Sequence, residues 1–256
     1  MIDSRAVVSG DAQIGNNVHI GPFAIIEGNT VIGDNCQIRS HAVIASGTTL
    51  GRNVRVHSSA VIGTEPQDLK FKDTPTTVVI GDDTVIREFA TVNRGTEASG
   101  TTLVGKNTLI MTYCHVAHDC IVGNNVVMSN ATQLGGHVEI EDWVTLGGVT
   151  KVHQFCKVGA HVMVGADVKV VKDVPPFILL GKNPPVIEGV NKIGLKRRGF
   201  SSEDISAIDG FYDILLRQGL NTTDGIKKAL EADLAKNPYN RQAIDFIESS
   251  NRGIHR

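Results

Sequence analysis

Aromatic residues are scarce in this chain of 256 residues, at 5% of the total. So thin a supply of rings suits narrow coils whose interior takes aliphatic and small side chains, and Ile, Val and Gly are abundant. No apolar run approaches the ~18 residues that would suggest a membrane span. The opening residues, Met1-Ile2-Asp3-Ser4-Arg5, lack the apolar stretch and cleavage site of a secretory signal. Neither sign of charge is in excess: the formal net value is -2, with acids and bases spread along the chain. That balance argues against nucleic acid as the main partner. The expectation is a cytoplasmic protein without a membrane span.

What is present is a six-residue beat. An aliphatic residue or Met opens each unit, as at Val8, Ile14, Ile20, Ile26, Ile32, Ile38 and Ile44. The beat resumes at Ile80, then runs without a break from Val104 through Met128 to Val170. Four residues after each aliphatic stands a small or β-branched partner such as Ala12, Ala24 or Ala42. Neither a helix nor a simple strand has this period. It marks a hexapeptide solenoid, whose short strands bury their faces only by stacking on neighbours. Cys36, Cys114, Cys120 and Cys156 all fall at the small position, where cysteine acts as a compact hydrophobe. A disulfide or zinc role has no reason to respect that phase.

Taken in order, residues 1–190 read as the solenoid and residues 191–256 as a small helical domain. Gly15-Asn16-Asn17 and Gly33-Asp34-Asn35 supply tight corners, since Gly and Asn tolerate left-handed backbone angles. The beat is interrupted near residues 63–79 and 93–103, either distorted coils or loops thrown from the scaffold, the latter being the favoured reading and suited to binding. Asp173-Val174-Pro175-Pro176 and Gly181-Lys182-Asn183-Pro184-Pro185 are expected to end strand pairing. Beyond them, Ser201 with Asp204 opens a helix carrying Ile205, Ile208, Tyr212 and Leu215, closed by Gly219. Thr222 or Thr223 caps a second helix, and Ile244 and Ile247 mark a third. The helical unit caps an otherwise open solenoid end.

The histidines cluster in the middle coils, at 115, 118, 137, 153 and 161. In a triangular coil of three units, side chains eighteen residues apart stack. His118, Gly136 and Gln154 then share one column, and Asp119, His137 and Phe155 the next. Two imidazoles, a carboxylate and a bare backbone suit general-base catalysis with an amide as oxyanion donor. The competing readings are solvated histidines, or three imidazoles converging on zinc at ~2.0–2.1 Å. The spacing gives no sign of that zinc geometry, and a metal-free site is expected. Lys196-Arg197-Arg198 is either a solvated charge cluster or a forked phosphate contact.

These residues in this order resemble the UDP-N-acetylglucosamine acyltransferases that start lipid A biosynthesis in Gram-negative bacteria. The likeness spans the chain and is most specific in three blocks. These are Gln67-Asp68-Leu69-Lys70, His115-Val116-Ala117-His118-Asp119-Cys120 and Gly194-Leu195-Lys196-Arg197-Arg198-Gly199-Phe200. The resemblance implies a left-handed parallel β-helix with a C-terminal helical domain, assembled as a homotrimer with sites between subunits. It implies transfer of an (R)-3-hydroxyacyl group from acyl carrier protein to the 3-hydroxyl of UDP-N-acetylglucosamine, with no cofactor beyond the thioester donor.

By position, His118 matches the general base, Asp119 its orienting partner and Gly136 the oxyanion backbone. Asp68, Lys70, His115, His137, His153 and Gln154 match substrate contacts. Asn191, Arg197 and Arg198 match groups near the nucleotide or the carrier protein, and Ala166 the far end of the acyl groove. The chain departs from several relatives at Asn93, Pro184 and Ile193. Two rivals stay open at this stage: N-acylation of an amino sugar and a solenoid without turnover.

Overall fold

The computed structural model describes residues 1–256. Each unit of the beat forms a short strand, beginning with Val7–Val8 and Gln13–Ile14 and continuing to Lys169–Val170. Strands pair in parallel with the one a coil away, Val43 with Val61 and Val127 with Thr145, and build sheets of nine, eight and ten strands. Successive side chains of a strand point to opposite faces, so the beat residue of each pair turns inward. Ile26, Ile44, Ile62, Val92, Val116, Leu134 and Val152 stack this way, all buried. The result is a left-handed parallel β-helix.

The small position has a second task. Cys36, Cys114 and Cys120 donate their thiols to Gly51, Ser129 and Gly135 carbonyls at 3.0, 3.1 and 3.1 Å. Thr108, Thr132 and Thr150 do the same with hydroxyls to Gly123, Gly147 and Gly165. Cysteine and threonine therefore both fill the interior and satisfy a corner carbonyl. All four cysteines are free and buried, and burial pushes the Cys120 thiol up to about 12, which keeps it inert.

Corners hold a left-handed residue every sixth place. Asn17, Asn35, Asn53 and Asn125 fit the chemistry expected of such corners, but Phe23, Tyr113, Asp119, His137, Trp143 and Phe155 also have φ near +60°. Rings in such corners stack along the prism, His137 on Phe155 at 4.5 Å and Phe89 on Tyr113 at 5.1 Å. That stacking offsets part of the steric cost of a left-handed side chain.

Two coils are long. Val61 pairs with Thr91 and Thr91 with His115, advances of thirty and twenty-four residues where Val43 to Val61 is eighteen. The ladders stay parallel across both, so the surplus lies in the strand-free segments 65–76 and 94–100.

Strand pairing does not end at the prolines. Ile178–Gly181 pairs in parallel with Met163–Val164 and antiparallel with Val186–Val190. The Pro184-Pro185 segment is the turn between those two strands, where missing amide donors cost no ladder bond. Four helices follow: α1 (Lys192–Arg197), α2 (Ser202–Arg217), α3 (Thr222–Glu231) and α4 (Pro238–Glu248). Ser201 caps α2 by accepting from the Asp204 amide at 3.0 Å, and Ile208, Tyr212 and Leu215 are its buried stripe. For α3 the cap is Asn221 rather than either threonine, accepting from the Asp224 amide at 2.9 Å. Asp173 ties the last coil to the chain end: Ser250 donates to its carboxylate at 2.6 Å and the His255 amide to its carbonyl at 2.9 Å. No helix is long and apolar enough to cross a membrane.

Candidate active site

The two long coils meet at one edge of the prism. The Asn93 side-chain amide donates to Thr64 and Glu65 carbonyls at 3.3 and 2.7 Å, and Arg94 reaches Asp73 at 3.0 Å over the Phe71 ring. The shorter loop thus anchors the longer one. Within the longer loop, the Lys70 amide donates to the Asp68 carboxylate at 3.0 Å, closing a turn that leaves Leu69 fully exposed. Gln67, Asp68, Leu69 and Lys70 form one wall of a cleft of about 520 Å³, and His118, His137, Gln154 and Phe155 the other.

Asp119 is the anchor of that second wall. Its side chain is wholly buried. It accepts from the Thr96 amide at 2.9 Å, the Thr96 hydroxyl at 2.7 Å, the Ser99 hydroxyl, and His118 Nδ1 at 2.7 Å. Burial alone raises a carboxyl, but the bonds from Ser99, His118 and Thr96 outweigh it and hold Asp119 at about 2. An anionic partner on Nδ1 fixes the proton there, which leaves Nε2 of His118 with its lone pair.

Gly136 lies against that nitrogen. A Cβ on Gly136 would sit 2.6 Å from His118 Cε1 and 2.7 Å from Nε2, so any side chain there displaces the imidazole. The Gly136 amide has no acceptor within the chain. A base that lines the cleft thus has an unpaired backbone donor at its side, an arrangement suited to deprotonating a hydroxyl and holding an oxyanion.

The other expected residues divide into three groups. His137 packs edge-on to His118, with Nε2 3.6 Å from the Asp119 carboxylate. His115 is half-buried, its Nδ1 2.7 Å from the Thr91 hydroxyl, and its pKa is lowered by burial and then by the neighbouring His118. His153 and Gln154 are exposed, and Arg252 approaches His153 Nδ1 at 3.5 Å.

Asn191, Arg197 and Arg198 are not brought to this cleft within the chain. They line a separate one of about 430 Å³ with Thr145, Met163 and Leu179, on the ten-stranded sheet. There Asn191 caps α1 and donates to the His161 carbonyl at 2.9 Å, while Arg198 lies over Trp143 and donates to His161 Nδ1 at 3.3 Å. Ala166 is exposed at a corner on a third edge. Sequence reasoning passed over Thr96 and Ser99. Their signal was the interruption of the beat just ahead of His115.

His118, Asp119 and His137 offer three donor atoms within 4.8 Å. The set suits a metal poorly, because Asp119 already accepts four hydrogen bonds and His118 Nδ1 is spent on one of them.

Comparison with known proteins converges on one family. Residues 29–64 and 101–136 match the bacterial transferase hexapeptide family, and residues 173–255 match domain 2 of UDP-N-acetylglucosamine O-acyltransferase. The acyl-[acyl-carrier-protein]--UDP-N-acetylglucosamine O-acyltransferase of Thiobacillus denitrificans is 50% identical, over 100% of this chain and 99% of its own. The Janthinobacterium sp. protein of the same name is 49% identical over the same shares. Among solved structures, a UDP-N-acetylglucosamine acyltransferase from Bacteroides fragilis superposes with a TM-score of 0.98 at 44% identity, covering both chains fully. That from Francisella novicida gives 0.96 at 39% identity, covering 100% of this chain and 94% of its own. With its full length matched in sequence and in fold, this chain belongs to the UDP-N-acetylglucosamine O-acyltransferase family.

Proposed function

We propose that this protein moves an (R)-3-hydroxyacyl group from the thioester of acyl carrier protein to the 3-hydroxyl of UDP-N-acetylglucosamine, the first step of lipid A biosynthesis, in the cytoplasm. The observation that carries the reading is His118 Nε2, left with its lone pair by the 2.7 Å bond from Nδ1 to Asp119 and set beside the unpaired Gly136 amide. The names of relatives matched over 99% of their length support acyl carrier protein as donor and UDP-N-acetylglucosamine as acceptor.

A sugar hydroxyl is a weak nucleophile at neutral pH. Nε2 takes its proton as the oxygen attacks the thioester carbon, and the developing oxyanion receives the Gly136 N–H. Collapse breaks the C–S bond, and the imidazolium returns the proton to the leaving thiol. Asp119 keeps the imidazole in the right tautomer and stabilises its charged form. No metal or covalent acyl-enzyme is required.

Asp68, Lys70, His115, His137, His153 and Gln154 are assigned to substrate contact. Asn191, Arg197 and Arg198 are assigned to the nucleotide or the carrier protein, and Ala166 to the end of the acyl groove. Because the two clefts lie on different faces of one chain, the reading includes a homotrimer in which neighbours complete each site. The test is turnover of UDP-N-acetylglucosamine with hydroxyacyl carrier proteins, followed by mass of the product. His118→Ala should lower turnover by roughly 10²–10⁴ and leave the assembly intact. Mixing it with an Arg198→Ala variant should restore part of the activity. A His118→Ala protein of near-normal rate removes this residue from the mechanism.

A further inference from the structure

The loop that interrupts the beat between Asn93 and Thr101 has no part in the chemistry above. Yet three donors from it converge on one buried carboxylate. The Thr96 amide and the Ser99 hydroxyl donate to Asp119 Oδ1, and the Thr96 hydroxyl donates to Oδ2 at 2.7 Å. The His118 bond also falls on Oδ2. One carboxylate oxygen is therefore held from the loop, and the other is shared between the loop and the imidazole. Asp119 itself sits in a left-handed corner, φ 60°, with its amide donating to the Thr102 hydroxyl at 2.8 Å. In a regular coil a corner carboxylate draws its donors from the corner eighteen residues back, as Asp142 does from Asn124. For Asp119 the six surplus residues of its coil supply them.

We propose that Thr96 and Ser99 are positioning residues for the acyl transfer, orienting the Asp119 carboxylate so that it holds His118 in the Nδ1–H tautomer with Nε2 aimed into the cleft. The proposal rests on the assignment of His118 as base. Its chemistry is that of an acceptor-only group with lone pairs to place. Donors from the loop occupy the directions away from the ring, and the remaining one meets Nδ1. Without them the buried carboxylate keeps only the His118 bond, free to rotate about that contact and with less of its burial offset. The hydroxyls also keep Asp119 ionised, in line with its depressed pKa. The same loop, through Asn93 and Arg94, holds the wall that carries Asp68 and Lys70. One segment thus sets the base and the opposing wall in register.

The experiment is a double-mutant cycle on the full chain, assayed with UDP-N-acetylglucosamine and the hydroxyacyl carrier protein it uses fastest. Thr96→Val removes one hydroxyl at nearly constant shape, and Ser99→Ala the other. Each should lower kcat by roughly tenfold, the scale of one charge-assisted hydrogen bond, with KM for the sugar nucleotide little changed. Thr96→Ser should retain most of the rate.

In an Asp119→Asn background, Thr96→Val should cost almost nothing further. If its cost there equals its cost in the unmodified protein, the hydroxyl does not act through Asp119 and the proposal is overturned. Loss of kcat in step with a lowered unfolding midpoint, without rescue by Thr96→Ser, overturns it also. If Asp119→Asn and His118→Ala both leave turnover unchanged, the assignment of the base fails instead. These outcomes separate the two ideas.

Discussion

Along one edge of the prism, the backbone amides of Asn16, Arg52, Lys106 and Asn124 donate to the side chains of Asp34, Asp82, Asn124 and Asp142 one coil on. Along another edge, the equivalent amide of Gly136 could meet only Gln154, and does not. The backbone turns the same corner in both places. On the first edge Asp and Asn side chains take up four of these amides and tie coil to coil, while those of Asp34, Asp82 and Asp142 have no acceptor in the chain. On the second a glycine and an unhelpful glutamine leave a donor unpaired beside His118. An unsatisfied amide costs stability in a buried place, and function is a reason to bear that cost. The histidines follow the same division. His161, on the structural edge, stacks between Trp143 and Phe177 beside Arg198, and burial followed by Arg198 lowers its pKa to about 4. His118, on the other, is bonded to a carboxylate.

The largest expected effect exchanges the edges' characters. Gly136→Ala forces a Cβ against the His118 ring and should lower turnover by roughly a hundredfold, as for a reacting group displaced by about 1 Å. Asp142→Ala removes the acceptor of the Asn124 amide at 2.7 Å and should cost about 1 kcal/mol of stability with turnover unchanged. Steady-state kinetics and chemical denaturation on both variants check the contrast. If Gly136→Ala is fully active, the two edges do not differ in the way described.

A smaller effect concerns the third edge, where Ala166 is exposed. Ala166→Met should shorten the preferred hydroxyacyl donor by several carbons while activity on the shorter donor survives. At ~0.8 kcal/mol per buried methylene, two carbons shift selectivity by roughly an order of magnitude. A panel of donor lengths reads this out, and an unmoved profile places the groove's end elsewhere.

The smallest is a pH effect at His161. Its folded pKa, about 4, lies below the ordinary 6.5, so the unfolded chain binds the proton first. Stability contributed by the neutral ring is full above pH 6.5 and is lost as pH falls towards 4. The unfolding midpoint should decline over that window, and less steeply in His161→Gln. Equal slopes in the two proteins count against the assignment.

Much of this was legible in the residues. The beat gave away the coil, because only side chains that stack at fixed spacing need recur with that period. Spacing alone put His118, Gly136 and Gln154 in one column, and the cysteines in the packing phase. The expectation that prolines end the sheet failed at Ile178–Gly181. Pro175 and Pro176 precede that strand, and Pro184 and Pro185 sit in the hairpin turn, where no ladder donor is missed. The caps show the same limit: Asn221, Thr222 and Thr223 are all capable, and the chain's path selects Asn221.

The sequence by itself determined the solenoid, its phase and the residues that share an edge, since these follow from covalent spacing and apolar periodicity. It did not determine which donors reach Asp119, nor that Asn191, Arg197 and Arg198 open on a different face from His118. Those depend on the direction of hydrogen bonds and on how far surplus residues travel from the ladder. Such quantities have no period to read and take their values only when the coils are stacked.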